Sequence, residues 1–320
     1  MRVLENTNFE FIRHRRLAYV VSGVLIGLAL IMAVFWQVTR GSWLNYGVDF
    51  TGGTLVQIQF QEPVEVEDVR SAIEAVIPRT EVTRFGGENE FLIRAPQFGV
   101  EAESGARQIE SALGGRFGAD KFEVTRVEAV GPKVGSELQR KAATAVILSF
   151  LATLVYLAFR FEWRFGLAAV IATVYDTLLT LGIISAFRLE VSLTTVAAVL
   201  TIIGYSLNDK IVVFDRIRDN LKRTGRRESY IAILDRSIND TLSRTVMTGG
   251  STLAVLLALL VLGGPIIRDF ALILFLGIVI GTFSSIFIAS PILLEVEERW
   301  GGEGKARAGA KPARAAGARV

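Results

Sequence analysis

Asp209 stands inside an apolar helix, where a carboxylate needs a reason to be. The stretch Thr201 to Asn220 reads TIIGYSLNDKIVVFDRIRDN, and the apolar run resumes after the acid as Ile211-Val212-Val213-Phe214. A helix starting near Leu193 would place Asp209 about 24 Å along its axis, still within the hydrocarbon depth of a bilayer. A lone carboxylate there is costly as an anion, so it can take up and release a proton. The competing reading is a capping or interfacial acid where the helix leaves the membrane. Tyr205 and Thr201 lie one and two turns earlier on the same helical face, and Asn208 is the acid's polar neighbour.

Arg244 is the natural partner, with Thr241, Thr245 and Thr248 at adjacent positions of the run DTLSRTVMT. An arginine that stabilises ionised Asp209 and lets go on protonation would form a two-state electrostatic switch. Its bland alternative is a side chain snorkelling at the start of a span. Asp176, near the middle of another apolar run, is a third buried candidate.

Other chemistry lacks its residues. There are no cysteines, and the single histidine, His14, cannot build a metal site. Gly52-Gly53 has no P-loop or dinucleotide fingerprint around it, and no nucleophile–base pair or catalytic carboxylate pair is apparent. The expectation is a non-enzyme without metal or small-molecule cofactor.

The elements that position these residues follow from composition. Of 320 residues, 51% are hydrophobic and 21% charged, and the mean hydropathy is +0.44. The apolar residues fall into about six blocks of spanning length. Residues 1–16 form a basic N-terminus carrying Arg13, Arg15 and Arg16, and 17–39 a first transmembrane helix. Residues 140–295 carry five more helices, with spans near 141–159, 167–187, 193–209 (extending to 214), 246–262 and 270–293. A basic connector occupies 216–243 and a basic, disordered tail 296–320, close to anionic lipid or ribosomal RNA or merely solubilising. Lysine and arginine asymmetry puts both termini in the cytoplasm. Gly277 and Gly281 form a small-residue pair suited to close helix packing.

Between the first two spans, residues 40–139 are too polar to cross. Thr54 to Phe60 alternates as a half-buried strand, followed by a helix from Val66, a hairpin at 81–85 and 90–95, a helix at 101–113 and a strand at 121–130. The order βαββαβ matches the ferredoxin-like motif. The expected fold class is an all-α polytopic membrane protein with six transmembrane helices, plus an extracytoplasmic α+β (ferredoxin-like, βαββαβ) domain inserted between helices 1 and 2.

Three stretches together resemble the SecD/SecF family of protein-export membrane subunits, of the resistance-nodulation-division superfamily type. They are Asn45 to Gly53 (NYGVDFTGG), Gly204 to Asn220 (GYSLNDKIVVFDRIRDN) and Ser237 to Thr245 (SINDTLSRT), within a match from the N-terminus to about Glu298. The resemblance implies a motif of Asp49, Phe50, Gly52 and Gly53, an ion-coupling acid at Asp209 and an arginine at Arg244. It implies a place in the bacterial cytoplasmic membrane beside a SecD-like sister subunit, the SecY-E-G channel, the translocating preprotein and small accessory membrane subunits. The pair is expected to use the proton motive force, or sodium, to promote translocation. Lys210 departs from the family, which often carries a small polar residue there. Its charge favours an ionised Asp209, unless the long side chain snorkels away. A proton-coupled small-molecule exporter and a purely structural membrane subunit are the alternatives.

Overall fold

The computed structural model describes residues 7–78, 80–95, 102–224 and 228–300. The chain opens with helix α1 (Arg15–Arg40), then a short strand β1 (Asn45–Tyr46) and helix α2 (Val48–Thr51). A small α/β unit follows: β2 (Gly53–Phe60), α3 (Val66–Glu74), β3 (Glu81–Arg84), β4 (Glu90–Ala95), α4 (Ala102–Phe117) and β5 (Phe122–Val130). Then come α5 (Pro132–Arg160), α6 (Trp163–Ala186), the two-residue strand β6 (Glu190–Val191), α7 (Leu193–Thr224), α8 (Tyr230–Leu262) and α9 (Gly264–Ser284). A π-helical turn, Ser285–Ala289, joins α9 to α10 (Ser290–Trp300).

Among the described residues, six helical segments are long and apolar enough to cross a membrane: Ile12–Arg40, Lys133–Leu157, Trp163–Ala186, Leu193–Thr224, Tyr230–Leu262 and Ile267–Trp300. α6, α7 and the last span form the centre, and α1, α5 and α8 stand at the periphery. The first span ends where Gly41, at φ 75°, turns left-handed and its N–H reaches the Gln37 carbonyl.

The sheet of the α/β unit runs β3-β4-β2-β5, all antiparallel. Val56, Ile58 and Phe60 of β2 meet Val69 and Ile73 of α3 and Ile109 and Leu113 of α4 in one core. The alternation in β2 predicted a half-buried strand, yet only Gln59 is exposed. The reason is a second cover: Leu55 and Leu92, on the other face, pack against Val48, with Phe85 alongside.

Helix occupies both ends of the charged stretch 216–243, expected as a basic connector. α7 continues to Thr224, and α8 starts at Tyr230, capped by the Ser229 hydroxyl, which accepts from the Ala232 N–H at 3.3 Å. The two extensions are tied side by side: Arg216 pairs with Asp240 at 2.8 Å, and Asn220 donates to the Ser237 hydroxyl at 3.0 Å. Residues 296–300 of the expected tail belong to α10; residues 301–320, with Arg226, Arg227 and Glu101, lie outside the described residues.

Candidate functional site

α7 is drawn tightly against α9 by the absence of two side chains. A Cβ on Gly277 would overlap the Ile202 side chain, and one on Gly281 would sit 2.9 Å from Ser206 Cβ. This close approach brings Ser285, one turn beyond Gly281, to the level of Asp209.

Asp209 is buried, and its two oxygens are met by two hydroxyls from different helices. Thr245 of α8 donates to Oδ1 at 2.9 Å, and Ser285 donates to Oδ2 at 2.6 Å. Ser285 is the first residue of the π turn, a widening found often at functional positions. The Ser285 carbonyl accepts from the Ser290 hydroxyl at 3.3 Å.

Lys210, the next residue, turns about 100° around α7 and faces α6 instead. Its Nζ lies 2.6 Å from Asp176 Oδ2, with the two side chains 0% and 1% exposed. The Ser206 hydroxyl bonds to both, whereas Asp176 Oδ1 is buried without a hydrogen-bond partner among the described residues. Lys210 therefore does not snorkel. An ammonium buried at this depth needs an anion, and Asp176 is the anion that α6 supplies. The two acids are compensated separately, Asp176 by an ammonium and Asp209 by neutral hydroxyls.

The expected Asp209–Arg244 pair is not formed. Arg244 is exposed and makes no hydrogen bond or ion pair among the described residues. It lies within α8, one turn beyond Asp240, and Thr245 beside it takes the inward position. Thr241 is buried but donates within its own helix, to the Ser237 and Ile238 carbonyls at 3.0 and 3.1 Å. Tyr205 is half-buried, its hydroxyl toward Gly249, and Asn208 is exposed. Ser206 and Ser285 were not among the sequence candidates. The serines Ser284, Ser285 and Ser290 in an otherwise apolar last span were the available signal.

At one end of the bundle the Asp49 motif joins the α/β unit to α7. Gly52 and Gly53 adopt φ 73° and 124°, where a side chain is strained, so the pair lets α2 turn directly into β2. Phe50 is buried between the two parts, edge-on to Tyr46. Asp49 Oδ2 accepts from the Leu193 N–H at 2.8 Å, capping α7 from across the chain. β1 pairs in parallel with β6, and Arg94 of β4 forms an ion pair with Glu190.

Burial holds the Glu190 carboxyl above the ordinary glutamate range, against the pull of Arg94. The folded protein thus keeps a proton that the unfolded chain would release. This stabilisation is fully present below the ordinary glutamate range and is lost as pH rises through the raised value. Thermal unfolding between these limits should show it, with the slope flattened in Glu190→Gln; equal slopes in both proteins would contradict the assignment.

The six spanning-length helices among the described residues and the buried charges at the bundle centre define a polytopic helical membrane protein. Residues 111–299 match the protein export membrane protein SecD/SecF family, C-terminal part, and residues 41–64 match the SecD/SecF GG motif. The chain is 48% identical to the protein translocase subunit SecF of Gemmatimonas aurantiaca over 94% of this chain and 90% of that relative. It is 42% identical to the SecF subunit of Vibrio alginolyticus over 89% of each chain. The crystal structure of SecDF from Thermus thermophilus, a translocon-associated membrane protein, aligns with a TM-score of 0.82 at 38% identity. That alignment covers 93% of this chain and 40% of the SecDF chain. The chain belongs to the SecD/SecF family.

Proposed function

We propose that the chain is a SecF-type accessory subunit of the bacterial protein-export translocase, using the proton motive force to promote preprotein translocation across the cytoplasmic membrane. The observation that carries this is the 48% identity to a translocase subunit SecF, extending over 94% of this chain. The chain spans 40% of the SecDF protein it resembles, which supports a SecD-like sister subunit as its partner. The SecY-E-G channel, the preprotein and small accessory membrane subunits complete the assembly, and the basic tail meets anionic lipid.

In this reading the basic residues Arg15, Arg160, Arg164 and Arg216 mark the cytoplasmic end, with both termini there. The unit within residues 40–139 is extracytoplasmic. Its strand order and its two helices on one face support a ferredoxin-like βαββαβ domain. Asp209 is the acid that exchanges the coupling ion, held by Thr245 and Ser285. The Asp176–Lys210 pair fixes α7 against α6, and Arg244 joins the cycle when α8 moves or a subunit covers its exposed face. Tyr205, Asn208 and Thr241 line the route on α7 and α8.

The test uses inverted membrane vesicles from cells lacking this chain, loaded with a preprotein whose entry has been started by ATP. Adding the chain back with its sister subunit should restore acceleration by an imposed proton gradient. Equal acceleration with and without the chain would overturn the proposal.

A further inference from the structure

The Ser285 hydroxyl has one proton and two acceptors. Asp209 Oδ2 lies at 2.6 Å and the Thr282 carbonyl of its own helix at 2.9 Å. When Asp209 is ionised, the hydroxyl donates to the carboxylate, the stronger, charge-assisted choice. When Asp209 is protonated, the acid O–H donates to the Ser285 oxygen, and the serine proton swings to the Thr282 carbonyl. In both states the carboxyl oxygens and the Ser285 hydroxyl are paired, and Thr245 continues to donate to Oδ1. The change needs only rotation of a hydroxyl. It occurs on the first residue of the π turn, where the backbone has already left the regular helical ladder.

We propose that Ser285 and the π turn Ser285–Ala289 are the positioning element that registers the proton on Asp209, converting carboxyl ionisation into a changed hydrogen bond within the last span. The proposal rests on the reading of Asp209 as the coupling acid and adds to it the residue through which its state leaves α7. Other charges do not occupy this role. Lys210 on α7 is bound to Asp176 on α6, Arg244 on α8 is exposed, and the last span carries no Asp, Glu, Lys, Arg or His between Ala271 and Leu294.

The experiment measures proton-gradient-driven translocation against pH in proteoliposomes holding the complete translocase, with Ser285→Ala, Ser285→Cys and Ser285→Thr. Loss of a charge-assisted donor should move the midpoint in Ser285→Ala to higher pH by about one unit or more. Ser285→Cys, a weaker donor of similar size, should shift it less in the same direction. Ser285→Thr, which keeps the hydroxyl, should restore the original midpoint. A carboxylic-acid infrared band that disappears in Asp209→Asn should also change frequency in Ser285→Ala, reporting the bond even if transport is impaired. Unchanged midpoints and an unchanged band in the Ala and Cys variants would overturn the role of Ser285 while leaving Asp209 in place. Full gradient stimulation in Asp209→Asn would instead remove the reading beneath it.

Discussion

Lys210→Met should be strongly destabilising, by about 3–5 kcal/mol, because it leaves the Asp176 carboxylate buried without its counter-ion. Asp176 already has one oxygen unpartnered, so the loss of Nζ leaves the Ser206 hydroxyl as its remaining side-chain partner. The double variant Lys210→Met/Asp176→Leu should recover most of the loss, since replacing both members of a buried pair by apolar groups is often neutral or stabilising. The comparison distinguishes an unpaired charge from a packing defect. A packing defect would persist in the double variant. Thermal unfolding of the purified protein in detergent reads both outcomes, and a single variant melting with the wild type would refute the ion pair's importance.

Asp209→Asn should leave the fold intact and abolish stimulation by the proton gradient. The asparagine carbonyl can still accept from Thr245, while its amide can donate to the Ser285 oxygen and leave that hydroxyl free for the Thr282 carbonyl. The variant therefore reproduces the hydrogen bonds of the protonated acid without being able to lose the proton. At 100 mV, one charge crossing the membrane contributes about 2.3 kcal/mol, enough to bias a two-state equilibrium roughly fifty-fold. In the proposed reading of Asp209 as the coupling acid, removing its exchangeable charge removes that bias. ATP-driven initiation should continue, so translocation measured with and without an imposed gradient isolates the effect. Gradient stimulation equal to that of the wild type would sink the assignment.

The six spans and the polar unit between the first two were legible because hydropathy and strand alternation are local signals. Asp209 was legible as a chemical anomaly within such a signal. The partners were harder to read, because they depend on the rotation of one helix against another. Asp209 and Lys210 are neighbours in sequence but face different helices, and only the relative phase of α6 and α7 pairs Lys210 with Asp176. The charged run ahead of Arg244 hides the start of α8 at Tyr230, and Arg244 is exposed beside the inward-facing Thr245. One residue of error on a helix is a turn of about 100°, which exchanges Thr245 for Arg244 at the inward position. The cover over the second face of β2 was hidden for a related reason, since Val48 reaches it from outside the regular βαββαβ elements.

The Asp49 cap also gives α7 a mechanical character. Its N-terminal end is gripped at Leu193 by the motif that leads into β2, and Asp209 lies about 24 Å further along the same helix. A tilt of about 5° pivoted at Asp209 would displace the gripped end by about 2 Å, as elementary geometry applied to that rise requires. The helix is then a lever whose handle is buried among hydroxyls and whose tip is clasped by the α/β unit. A rearrangement too small to break a helical turn at the acid would be delivered to the α/β unit as a displacement comparable to the distance across a hydrogen bond.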